Sequence, residues 1–71
     1  MKIRFKSVQA KNEFRNIFNH NIDFVNEFGM GIIQIDRVDE NWWDILDPIS
    51  GSVIYTVDAK LESKYFDIVS E

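Results

Sequence analysis

The first residues alternate: Ile3 and Phe5 are apolar, and the side chains around them, Lys2, Arg4 and Lys6, are charged. A period of two with one oily and one wetted side predicts a strand over residues 2–7. Ser7 stands where a helix N-cap belongs, its hydroxyl able to accept a hydrogen bond from a backbone N–H two or three residues on. Beyond it the period lengthens. Val8, Phe14, Ile17 and Phe18, with Ala10 nearby, share one side of a 3.6-residue repeat, while Lys11, Asn12, Glu13, Arg15 and Asn16 take the other. A helix is therefore predicted to run as far as Asn19, His20 and Asn21, where asparagine side chains compete for backbone hydrogen bonds and tolerate the left-handed conformation that ends helices.

Residues 22–30 fit no single period, since Ile22, Phe24 and Phe28 suit alternation, Phe24 and Phe28 suit a helical turn, and Gly29 and Gly31 interrupt both. A buried connection with one helical turn is expected there. Three strands are predicted next, over residues 31–38, 42–46 and 52–57, all rich in β-branched and aromatic side chains. The polar segments 39–41 and 47–51 between them have the length of hairpin turns, with Pro48 setting a turn torsion and Gly51 free to take positive φ. Neither side of this sheet is wholly polar, so one face should pack on the helix while the other keeps apolar surface around Trp42, Leu46 and Ile54.

The last segment is predicted to be a helix, with Asp58 as N-cap, good helix formers from Ala59 to Glu62, and a stripe of Leu61, Tyr65, Ile68 and Val69. A strand over residues 64–70 is the competing reading, because four of those side chains favour β structure. The expected fold class is α+β, one domain over residues 1–71 ordered β-α-β-β-β-α, with an antiparallel sheet packed on one or two helices.

Composition adds limits. A 71-residue chain has room for one modest core, and a hydrophobic fraction of 45% with 14% aromatic residues is enough to form it. Without cysteine there is neither a disulfide nor a thiolate metal site, which suits a cytoplasmic protein. The alternating opening is unlike a secretory leader, and no run approaches the roughly 20 apolar residues that span a bilayer, so no membrane association is expected.

Charge changes the picture more. Five basic side chains against Glu13 alone give residues 1–20 a net charge of +4, and three against eleven give residues 21–71 a net charge of −8, for −4 in all. An acidic chain is poorly suited to gripping phosphates, so direct nucleic-acid binding is not expected. Lys2, Arg4 and Lys6 do not alter this, because Phe5 alternates with them onto the opposite, buried face.

Five carboxylates, Asp36, Asp39, Glu40, Asp44 and Asp47, fall on the two predicted hairpins around Trp42. They lack the spacing and the central glycine of a calcium loop, and a domain this small has little room for the cleft that an acid pair would need, so neither a metal site nor a catalytic pair is assigned. Solvated edge positions that discourage sheet-to-sheet pairing are one reading. A partner-binding surface is the other, with carboxylates steering a basic partner and Trp42 supplying buried area. Trp42 and Trp43, being consecutive, must face opposite sides of a strand. One belongs to the core and the other is covered by the last helix or exposed.

His20, the single histidine, has no nucleophile and orienting partner beside it in sequence and is expected to cap a helix C-terminus. No phosphate-binding glycine loop occurs, since Gly29 and Gly31 lead into apolar strand residues. No catalytic residue and no cofactor is expected. In composition, a tiny acidic cysteine-free chain rich in aromatics and asparagine, the protein resembles the small accessory proteins that bacteriophages encode. The functional expectation is a non-enzymatic protein-binding module, an inhibitor or modulator of a partner with a basic surface. The rivals are a DNA-mimicking inhibitor, a homo-oligomer assembled through the second face of the sheet, and a small metal-dependent domain.

Overall fold

A computed structural model describes Met1–Glu71 and contains two helices and two three-stranded antiparallel sheets, so the α+β class holds. Strand β1 (Lys2–Phe5) buries Ile3 and Phe5 and exposes Lys2 and Arg4, as the alternation requires. Ser7 caps helix α1 (Val8–Arg15), its Oγ accepting the Ala10 N–H at 3.0 Å. The helix is shorter than its apolar pattern: it ends at Asn16, with Phe14 as its one buried side chain and Val8, Ile17 and Phe18 left exposed. Seven residues beyond Phe14 the buried Asn21 donates from Nδ2 to the Phe14 carbonyl at 2.8 Å, a second bond to an oxygen that also accepts the Ile17 N–H at 3.2 Å, and the two together close the last turn.

The connection expected over residues 22–30 is instead a full helix, α2 (His20–Phe28), which buries Asn21, Phe24 and Val25. Phe24 and Phe28 stand one turn apart with ring centroids 4.9 Å from each other, and Gly29 at φ 52 ends the helix in the left-handed region. His20 therefore opens a helix rather than closing one, and its ring stacks on Phe18 at 5.2 Å.

The strand predicted over residues 31–38 is divided between the sheets. Strand β2 (Ile33–Gln34) pairs with β1, and β3 (Arg37–Val38) pairs with β4 (Trp42–Leu46). The handover occurs within two residues, since the Ile35 N–H bonds to the Met1 carbonyl at 2.8 Å and the Asp36 N–H to the Asp44 carbonyl at 2.9 Å. A strand that turns this corner joins two sheets around one core. Strand β5 (Val53–Asp58) completes the second sheet, ordered β3-β4-β5, which is the antiparallel meander expected from the sequence.

The C-terminal helix does not form. After a short 3-10 turn (Ser63–Tyr65) the chain continues as strand β6 (Phe66–Ser70), antiparallel to β1 in a sheet ordered β2-β1-β6, so the competing strand reading is correct there. Pairing explains the override: β6 supplies the second neighbour that β1 needs and places Phe66 opposite Phe5, with rings stacked at 4.5 Å. Phe14 and Phe24 close over this pair at 5.4 and 6.1 Å from Phe66, so both helices pack through phenylalanine on the inner face of the first sheet. Trp43, Ile45 and Val57 line the buried face of the second sheet and belong to the same core. Each large side chain withdrawn from water in this way contributes about 1.5–3 kcal/mol. Neither helix is long and apolar enough to cross a membrane.

Candidate functional site

Of the acidic residues around Trp42, Asp44 lies in β4 and Asp36, Asp39, Glu40 and Asp47 lie in the segments that flank strands β3 and β4, and they are not a free row of charges. At the start of the strand, Asp39 Oδ1 accepts the N–H groups of Asn41 at 2.7 Å and Trp42 at 2.8 Å, closing the turn from β3. These two bonds favour the ionised form and hold the Asp39 carboxyl below its ordinary value, with Arg37 adding a smaller pull. At the other end Asp47 Oδ1 accepts from Ile49 and Ser50 at 2.8 and 3.0 Å, and its carboxyl is lowered for the same reason. Asp36 reaches across to take the Leu46 N–H at 2.8 Å.

In mid-strand, Asp44 accepts the Thr56 hydroxyl at 3.0 Å and lies 3.5 Å from Arg37 Nε. Glu40 has the loosest tie, to Lys60 Nζ at 3.9 Å, and both side chains are well exposed. Four of the five carboxylates thus fix turns or cross-strand pairs, a structural duty that composition alone did not reveal. No three acidic or histidine side chains gather in a way that could hold a metal ion.

The tryptophans divide as their spacing demands. Trp43 is 8% exposed in the core, while Trp42 is 48% exposed and opposite Asp58 in the β4–β5 register. The last helix that could have covered Trp42 is absent, which is why that indole stays open. Trp42 shares its face of the sheet with Asp44 and Leu46, so the polar Asp44–Thr56 pair separates it from the far end of the hairpin, where the register shifts at Leu46 and Val53 and Ile54 are both exposed. At that tip Ile49 is 96% exposed on a turn held by Asp47, with Gly51 at φ 75 supplying the positive torsion. An isoleucine so placed buries nothing in the isolated chain.

Two openings flank this sheet. One, about 360 Å³, lies between α2 and β5 and is lined by His20, Asp23, Phe24 and Tyr55. Beside it the Tyr55 hydroxyl donates to Glu27 at 2.7 Å, and that bond, with desolvation and the nearby carboxylates, pushes the phenol above its ordinary value. The other, about 420 Å³, lies between the α1–α2 connection and the 3-10 turn and is lined by Ile17, Phe18, Asp58, Leu61, Glu62, Lys64 and Tyr65. Neither opening was foreseen from the sequence, because the walls of each come from segments about 30 or more residues apart. Comparison with protein-family models, with curated proteins and with solved structures returns no match.

Proposed function

We propose that the protein is a non-enzymatic cytoplasmic binding module that docks a protein partner with a basic surface, as an inhibitor or modulator, through the outward face of the second sheet. The observation that carries this reading is Trp42, an open indole at the start of β4, with Val53, Ile54 and Ile49 exposed toward the other end of the same hairpin and the turns pinned by carboxylates. A rigid aromatic anchor ringed by polar groups is the usual composition of an energetic centre in an interface, and preorganised turns lower the entropy lost on docking. Net charge of −4 favours basic partners and speeds their approach.

DNA mimicry is less well supported. It needs an unbroken row of free carboxylates, whereas Asp44 and Glu40 each face a cation and Asp36, Asp39 and Asp47 hold backbone N–H groups. The test is affinity capture at rising salt with the wild type and Trp42→Ala, accompanied by light scattering. A partner retained at low salt, weakened by salt and lost with Trp42→Ala supports the reading. A strict monomer that retains the same proteins with and without Trp42 refutes it, and a concentration-dependent dimer replaces it with self-assembly.

A further inference from the structure

The opening between the α1–α2 connection and the 3-10 turn combines two features that do not usually meet. Its rim is apolar, with Leu61 72% exposed and Ile17 and Phe18 also open to water. Glu62, which lines it, is only 8% exposed. Its Oε1 accepts the Asp58 N–H at 2.9 Å and its Oε2 takes a long 3.4 Å bond from Asn21 Nδ2, yet no lysine, arginine or histidine lies within ion-pairing distance. A carboxylate has about four lone-pair positions, so half of this acceptor capacity is unused. The lysine at the rim, Lys64, sits instead over the Tyr65 ring, 5.3 Å from its centroid. A carboxylate on the floor of an apolar groove attracts a cation more strongly than one surrounded by water.

We propose that this groove receives a short segment of a protein partner in which one arginine or lysine is flanked by apolar side chains. The cationic head meets Glu62, beside an Asp58 whose Oδ1 already accepts the N–H groups of Lys60 and Leu61 at 2.9 Å, the methylene stem lies against Leu61 and Tyr65, and the flanking apolar residues cover Ile17 and Phe18. Asp58 also stands opposite Trp42 in the β4–β5 register, so the groove adjoins the outward face of the second sheet, and the inference deepens the binding-module reading on which it rests. Phe18, stacked on His20, and Leu61 form the exposed walls, and Glu62 is the specificity element that selects a basic occupant.

The test is a titration of nitrogen-15-labelled protein, followed by NMR, with a capped peptide of sequence glycine-leucine-arginine-leucine-glycine and with its neutral counterpart carrying citrulline in place of arginine. Shifts should centre on Ile17, Phe18, Leu61 and Tyr65, and the citrulline peptide should bind at least about tenfold more weakly. Glu62→Gln should reduce affinity for the arginine peptide by a similar factor while erasing the preference over citrulline. Leu61→Ala, at an exposed position where folding is not at risk, should weaken both peptides alike by several-fold. Equal binding of the two peptides, shifts confined to the Trp42 face, or no shift at millimolar peptide each overturns the groove assignment. The sheet-face reading is judged separately by the capture experiment with Trp42→Ala.

Discussion

The two sheets have three strands each and share a core, but they turn different faces to water. In the first, every outward position of the paired register is polar: Arg4 faces Asp67, and Lys2 faces Gln34 and Ser70. Its exposed apolar side chains, Ile68 and Val69, both lie on the edge strand β6, where Ile68 pairs with Ile3. In the second, Trp42 is open on the outward face, Val53 and Ile54 are exposed on the edge strand β5, and the carboxylates near Trp42 are committed to turns and cross-strand bonds. Beneath, the first sheet is sealed by the phenylalanine cluster of both helices. The lesson is a division of labour: one sheet concentrates the burial that holds the fold, and the other spends apolar surface on the outside.

The largest expected effect comes from breaking the sealed side. Phe5→Ala removes the ring that contacts Phe14, Phe24 and Phe66 and should cost about 3–5 kcal/mol, a large share of a small domain's stability, read as a fall in the denaturant midpoint. Next is the hairpin of the open side. Gly51→Ala meets no atom within 4 Å but forces an L-residue to φ 75, so a loss of roughly 1 kcal/mol is expected from the backbone alone. Gly51→Asn, tolerant of that region, should recover part of it.

Acid titration sharpens the contrast further. Asp39 and Asp47 have folded-state values below the ordinary 3.8, so the unfolded chain binds protons more readily. Their contribution is present above that value and lost as pH falls through it toward the folded values. Asp39→Asn with Asp47→Asn keeps an acceptor oxygen in both turns, and stability measured against pH should then show a shallower acid slope. At the alkaline end the sign reverses. Tyr55 is raised above 10.0 by Glu27, so its contribution is complete below that pH and is lost as pH rises through the folded value. Glu27→Gln should move one tyrosine transition in the near-ultraviolet absorbance back toward the ordinary range. This is the smallest of the four effects.

Local chemistry wrote much of this fold plainly. The alternation of Ile3 and Phe5, the Ser7 cap, the β4–β5 hairpin and the Asp47–Gly51 turn all depend on near neighbours and were legible. The parts that were not depend on distant partners. Asn21 helps close the last turn of α1 by reaching the Phe14 carbonyl, a bond that no periodicity announces. The strand over residues 31–38 is cut because Met1 and Asp44 claim its consecutive backbone groups from opposite sides. Good helix formers at residues 59–62 stand against the β propensity of residues 64–70, and the free edge of β1, which the sequence does not name, decides between them. The surface was legible to the same degree. That the two tryptophans face opposite sides was legible, whereas the exposure of Trp42, the roles of the carboxylates as turn acceptors and the groove at Glu62 needed three dimensions.

The central claim is that partners meet the second sheet and not the first. Site-specific replacement of Trp42 by the photo-crosslinker benzoylphenylalanine, with the same replacement of Lys2 on the outward face of the first sheet, tests it most directly. Irradiation in a lysate of the source cells should give a discrete adduct from position 42, diminished by salt, and none from position 2, with unchanged denaturation midpoints for both proteins. Adducts from position 2 alone, or equal labelling from both, would contradict the division of labour between the sheets.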